Sequence, residues 1–148
     1  MPETAEILLT DKTETEAAAR RFYAAFKPGH VGALRSAVAP DWVDNTLPAG
    51  RAPGVAGMEQ ALRQLHGALP DLETRIAKML VQDDLISLHL LFEGTHEGEF
   101  LGKPPTHRRL RFLAFDLHRI ANGRIVESWH LEDNLSLLIQ TGVLPPLG

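Results

Sequence analysis

The sequence predicts an α+β domain in which N-terminal helices pack on one face of a curved antiparallel sheet. Three observations carry that expectation. Apolar residues recur at helical spacing as far as Leu69, β-rich runs take over from Leu72, and Asn122-Gly123 separates the last two of those runs. Helices first and an antiparallel meander afterwards define the α+β layer arrangement. Asn-Gly is the strongest short-range hairpin signal, because both residues tolerate φ > 0.

Residues 1–12 read as a loose arm. Thr13 to Phe26 reads as a helix, with Thr13 and Glu16 in capping-box spacing, a stop at Pro28-Gly29, and Ala18, Phe22, Ala25 and Phe26 on its apolar face. A short helix follows over Val31 to Val38 and ends before Pro40. Trp42 to Asn45 forms a short strand or turn that leads into the loop Leu47 to Val55, rich in Pro, Gly and Ala. Gly57 to Leu69 is a third helix, with Met58, Leu62, Leu65 and Leu69 at helical spacing and a stop at Pro70-Asp71. Four strands are expected over Thr74–Val81, Leu85–Thr95, Arg108–Ile120 and Arg124–Asp133, with tight turns at Asp83-Asp84 and Asn122-Gly123. A short helix over Asn134–Thr141 precedes a Pro-rich tail, 143–148. No internal repeat or second domain interrupts residues 1–148.

At 148 residues the chain is long enough to bury a core and a ligand cavity in one domain. A formal charge of −4 argues against a nucleic-acid surface, which requires a basic excess. Arg108, Arg109 and Arg111 read as a solvated strand end or a local anion contact. The absence of cysteine removes disulfides, thiol nucleophiles and cysteine-ligated zinc, and is compatible with the cytoplasm. The acidic N-terminus lacks the layout of a signal peptide, and the apolar run Leu85–Phe92 is too short to span a bilayer. A soluble, cytoplasmic protein with no membrane or nucleic-acid partner is expected.

Counting outward from Asn122-Gly123 places Ile120 opposite Ile125, His118 opposite Glu127, Asp116 opposite Trp129, Ala114 opposite Leu131 and Phe112 opposite Asp133. Side chains alternate across a strand, so these ten residues are expected on one face. Carboxylates and a histidine among apolar and aromatic neighbours are unusual for a purely structural sheet face. His130 and Glu132 fall on the opposite face in this register.

Gly94-Thr95-His96-Glu97-Gly98, with Pro104-Pro105-Thr106 after it, resembles the Gly-Thr-His-x-Gly segment and Pro-Thr turn of the SnoaL-like polyketide cyclases, or ester cyclases. Asp116-Leu117-His118-Arg119, Gly123-Arg124-Ile125-Val126-Glu127-Ser128-Trp129, Asp133 and Gln140-Thr141-Gly142 are similar to that family's later motifs. The resemblance spans roughly residues 15–145. It implies the nuclear-transport-factor-like cone, a strongly curved antiparallel sheet with N-terminal helices closing a deep pocket. It also implies an acid/base aspartate at Asp116, working without metal or coenzyme in intramolecular aldol ring closure, and a pocket histidine at His96. Three positions depart from the family pattern. Asn45 stands where many relatives have histidine, His107 replaces a glycine, and His118 occupies a commonly apolar position.

An apolar setting disfavours a charged carboxylate and raises its pKa, which suits Asp116 to take and return a proton near neutrality. The competing reading is a buried structural acid. Both require a hydrogen-bonding partner. His96, between Gly94 and Gly98, is a candidate to orient or protonate a substrate carbonyl or to bond Asp116; it could equally hold the adjacent loop. Asn45, Trp42, His66, Phe112, His118 and Trp129 are candidate substrate-binding residues. His118 also reads as a cross-strand partner of Glu127, and Asp133 as an N-cap.

No histidine spacing supports a metal site and no phosphate loop is present, so no cofactor is expected. Leu113, Phe115 and Leu117 on the outer face suggest a homodimer. The functional expectation is a cyclase acting on a hydrophobic carbonyl substrate. The alternatives are a non-catalytic small-molecule binding domain, or an isomerase, dehydratase or epoxide hydrolase on the same cone.

Overall fold

The computed structural model describes residues 2–148, with side chains from residue 12 onward. Helix α1 (Pro2–Ala24) leads through a 3₁₀ turn at Val31–Ala33 into α2 (Leu34–Ala37) and strand β1 (Val38–Asp44). Helix α3 (Gly54–Ala68) then precedes β2 (Glu73–Gln82), β3 (Leu85–Thr95), β4 (Arg109–Ala121), β5 (Arg124–Glu132) and the closing α4 (Asn134–Gln140). The helix therefore begins at Pro2, and the segment expected as a loose arm continues α1 upstream of Thr13. No helix of the described residues is long and apolar enough to cross a membrane.

The sheet has the order β1-β5-β4-β3-β2. Strands β2 to β5 form the expected antiparallel meander. β1 adds to the edge of β5 in parallel, with Val43 beside Glu127 and Asp44 beside Ser128. Asn122 and Gly123 occupy the β4–β5 turn with φ of 51° and 74°, the left-handed pair that a two-residue hairpin requires. Asp83 closes β2–β3 with φ of 54°.

Burial alternates along β4. Leu110, Phe112, Ala114, Asp116, His118 and Ile120 are buried, while Arg109, Arg111, Leu113 and Phe115 are exposed. The buried set faces Ala18, Phe22, Tyr23 and Phe26 of α1 and its exit, Leu34 of α2 and Leu62 of α3, in one core. Each fully buried leucine contributes roughly 1.5–3 kcal/mol of transfer free energy, so this inner face dominates the stability of the domain. At the opposite end of the sheet, a Cβ on Gly98 would lie 2.1 Å from the Gly67 carbonyl oxygen. Only glycine lets the chain after His96 approach Ala68 closely enough for the Glu97 and Gly98 amides to donate to the Ala68 carbonyl.

A bulge in the last hairpin changes which residues meet. Ile120 pairs with Ile125 as expected, but Arg119 pairs with Glu127, His118 with Ser128, Leu117 with Trp129 and Asp116 with His130. The extra residue on β5, Val126, shifts everything beyond it by one position and so exchanges the two faces of that strand. Ser128, His130 and Glu132 come to the inner side. Trp129 goes to the outer side beside Leu117.

Candidate active site

Asp116 sits on the inner face of β4 with only 8 % of its surface exposed. Tyr23, which α1 lays across the sheet, donates its hydroxyl to Asp116 Oδ2 in a short hydrogen bond. The same hydroxyl lies 2.7 Å from His118 Nε2. His118 Nδ1 is 2.7 Å from Ser128 Oγ, and Trp42 Nε1 donates to that Oγ at 2.8 Å. Tyr23, His118, Ser128 and Trp42 are all buried. Asp116 Oδ1, in contrast, is buried without a hydrogen-bond partner among the described residues.

A second polar group adjoins the first through the cross-strand neighbour of Asp116. His130 Nε2 donates to Asp44 Oδ2 at 2.9 Å and its Nδ1 to Glu132 Oε1 at 2.6 Å. An imidazole that donates from both nitrogens is an imidazolium. Burial works against that charge, but the hydrogen bonds to Asp44 and Glu132 and their negative charges overcome it and raise the His130 pKa to about 10. Burial likewise opposes the charge of Asp44. Hydrogen bonds from His130 and Thr46 outweigh it and hold the Asp44 carboxyl below its ordinary value.

The Asp116 pKa is pushed up to about 7, above all by burial. The Tyr23 hydrogen bond and the His130 charge pull it down, while Glu132 and Asp44 push it up. Burial and the neighbouring His130 cation depress His118 to about 3, so its imidazole is neutral. Burial and Asp116 raise the Tyr23 phenol well above its ordinary value. The site therefore offers a carboxyl group poised near neutrality, held by a phenol that keeps its proton.

The other residues singled out from the sequence are distributed differently. Trp42 and Phe112 lie on the inner side, the latter stacked on Phe92 with ring centroids 4.8 Å apart. His118 does not pair with Glu127; it is fully buried beside Tyr23, while Glu127 binds Arg119 and Asn45. Asn45 is exposed and directed away from Asp116, because the alternation along β1 turns Trp42 and Asp44 inward. His66 Nε2 donates to the Phe26 carbonyl at 2.6 Å, tying the end of α3 to the exit of α1. Trp129 is separated from Asp116 by the sheet itself.

His96 is also not at Asp116. It follows β3 and pairs with Arg108, whereas Asp116 lies opposite Leu88. At about 3.3 Å per residue, some 25 Å of strand separates them, far beyond hydrogen-bond reach. His96 is fully buried. Its Nδ1 accepts from the Thr106 amide at 3.3 Å and lies 2.9 Å from the Thr106 hydroxyl. The proton of a neutral ring is therefore on Nε2, which has no partner among the described residues.

Tyr23, Asp44, Ser128, His130 and Glu132 escaped the sequence reading. Tyr23 had a usable signal, since the only tyrosine of the chain lies beside Phe22 on a buried helix face, and a buried phenol needs a hydrogen-bond partner. Asp44 alternates with Trp42 and was accessible in the same way. Ser128, His130 and Glu132 depended on the bulge, which no residue in the hairpin announces.

A curved sheet closed by helices, with a buried carboxyl group on its inner face, defines a small α+β cone built around a buried polar cluster. The family model of the SnoaL-like polyketide cyclases matches residues 17–141, and the chain belongs to that family. Solved structures agree with the assignment. A Bacillus cereus ATCC 10987 protein assigned as a polyketide cyclase superposes with a TM-score of 0.80 at 34 % identity, over 89 % of this chain and 83 % of that one. IdmH of Streptomyces antibioticus, also assigned as a polyketide cyclase, gives 0.75 at 29 % identity over 86 % and 98 %. AclR of Streptomyces galilaeus, assigned as a hydroxylase, gives 0.80 at 25 % identity over 92 % and 85 %. No curated protein matches the chain in sequence.

Proposed function

We propose that the chain is a cofactor-independent cyclase in which Asp116 removes and returns a proton on a hydrophobic carbonyl compound. The observation that carries this reading is the Asp116 carboxyl itself, buried and poised at about 7, with Tyr23 on one oxygen and, among the described residues, no partner on the other. A group of that pKa is ionised often enough to act as a base and protonated often enough to act as an acid.

In an intramolecular aldol closure, the carboxylate takes a proton from carbon between two carbonyls. The resulting enolate carbon bonds to a second carbonyl carbon of the same molecule. The electron pair of that C=O moves to its oxygen, and the carboxylic acid returns the proton there. The reaction is an isomerisation that consumes no co-reactant. Membership in the cyclase family and the likeness to IdmH and the Bacillus cereus protein support this chemistry. Phe22, Phe26, Phe92 and Phe112 give the inner face its apolar, aromatic character, which suits a hydrophobic substrate. His96 lies eight residues along the paired strands from Asp116, so this reading assigns the proton transfer to Asp116 with Tyr23.

The test uses β-diketone and poly-β-carbonyl compounds in D₂O, following deuterium uptake at the activated carbon and ring closure by NMR. Asp116→Asn keeps the shape and an acceptor for Tyr23 but cannot carry a proton. It should lower turnover by roughly 10²-fold or more and leave affinity nearly unchanged. A folded, fully active Asp116→Asn protein would sink the mechanism.

A further inference from the structure

The chain from Trp42 to Asp116 can be given a direction. An indole N–H only donates, so Ser128 Oγ accepts from Trp42. Among the described residues, the only other polar group bonded to Ser128 Oγ is His118 Nδ1. If His118 Nδ1 carried the proton, Ser128 would accept twice and its own hydroxyl proton would have no acceptor in a fully buried position. That arrangement would leave a desolvated donor unsatisfied. Ser128 therefore donates to Nδ1, the neutral His118 ring carries its proton on Nε2, and Nε2–H donates to the Tyr23 oxygen. The Tyr23 proton is left for Asp116 Oδ2.

This polarity does not depend on whether Asp116 is ionised. A proton on Oδ2 would have to displace the Tyr23 donor and reverse every bond back to Ser128. A proton on Oδ1 disturbs none of them. We propose that Ser128 and His118 are positioning residues that fix the Tyr23 proton on Asp116 Oδ2 and reserve Oδ1 as the atom that exchanges a proton with the ligand. The inference rests on the acid/base reading of Asp116 and specifies which of its oxygens reacts and what holds the other one.

The groups facing Asp116 are Tyr23 from α1, Asp44 from β1, His118 on its own strand, and His130 and Glu132 from β5; β3 presents Leu88. The nearest approach of His118 to the carboxyl is 3.9 Å from Nε2 to Oδ2, too long for a direct hydrogen bond. Its influence therefore passes through Tyr23. Removing His118 or Ser128 should alter the donor on Oδ2 without touching Oδ1.

The experiment is NMR on the ligand-free protein, with ¹⁵N-labelled histidine and ¹³C-labelled aspartate. His118 should show the Nε2–H tautomer at every pH from 5 to 9. Asp116 should titrate as one carboxyl. Tyr23→Phe removes a hydrogen bond to the charged form and should raise the Asp116 midpoint by about one to two pH units. Ser128→Ala frees Nδ1, lets His118 adopt the other tautomer and compete for the Tyr23 proton, and should raise the same midpoint by a smaller amount. Ser128→Thr should restore both tautomer and midpoint. With a β-diketone probe in D₂O, Ser128→Ala should move the pH–rate profile upward at unchanged KM, and Ser128→Thr should reverse the shift.

An Nδ1–H tautomer in the wild-type protein would overturn the proposal, and this measurement needs no variant. So would an Asp116 midpoint unmoved in folded Tyr23→Phe. The acid/base reading fails separately, through an active Asp116→Asn protein, because the tautomer and midpoint are read without turnover.

Discussion

Replacing Asp116 with asparagine should make the folding stability less dependent on pH, in an amount set by the burial of the carboxyl. The folded pKa is about 7 against an ordinary value of 3.8, so the native state holds a proton that the unfolded chain has released across that interval. For a group whose folded pKa is raised, its contribution to stability is fully present below 3.8 and is lost as pH rises to 7. One pKa unit is about 1.4 kcal/mol, so the whole interval corresponds to about 4 kcal/mol. Between pH 5 and pH 8 the wild-type protein should lose about 2 to 3 kcal/mol through this group alone.

Asparagine carries no proton to lose, and the pH-independent cost of seating its amide cancels when the same variant is compared at two pH values. The histidines titrate in the unfolded state of both proteins and drop out of the difference. The assay is urea denaturation of both proteins at pH 5, 6, 7 and 8, followed by circular dichroism. The stability difference, variant minus wild type, should rise by about 2 to 3 kcal/mol from pH 5 to pH 8. Parallel stability curves would refute the reasoning, because a carboxyl with an ordinary pKa cannot serve as an acid near neutrality. Failure of the asparagine variant to fold at every pH would assign Asp116 a structural role.

His130→Gln removes the cation between Asp44 and Glu132 and should destabilise the protein by about 3 kcal/mol at pH 7, measured by the same denaturation. Because the folded His130 pKa is raised to about 10, its contribution is full below 6.5 and lost as pH rises to 10. The wild type should accordingly lose about 2 kcal/mol more than the variant between pH 7 and pH 9. On the outer face, Phe115 and Leu131 are 57 % and 75 % exposed beside Leu113 and half-buried Trp129. A homodimer burying on the order of 1,200–2,000 Å² through this face is expected, and sedimentation should show Phe115→Glu as a monomer with an unaltered Asp116 titration. Turnover of any carbonyl substrate should survive exhaustive chelation and dialysis; loss restored by a stoichiometric metal ion would overturn the cofactor-free reading.

The layering of the fold was legible because it rests on local rules. Helical spacing up to Leu69, period-two alternation through β3 and β4, and Asn-Gly at the turn each act within a few residues. The inward face of β4 follows from the same alternation, so Asp116 and its apolar setting could be read directly. The position of Asp133 at the head of α4 was local as well, and its side chain accepts from the Ser136 amide.

What surrounds Asp116 was not legible, and the reason is geometric. Strand pairing is periodic by two, so a single bulge at Val126 exchanged the faces of β5, withdrew Trp129 and delivered Ser128, His130 and Glu132. Counting from a turn has no access to such a shift, which is decided by how the bent strands pack together. Tyr23 and Asp44 reach the carboxyl from elements far away in sequence, α1 and the parallel edge strand β1. The chain alone established a cone-forming α+β domain with an inward carboxylate. Tertiary packing set that carboxylate's pKa and partners, because burial and hydrogen bonding across distant segments exist only once the chain has closed on itself.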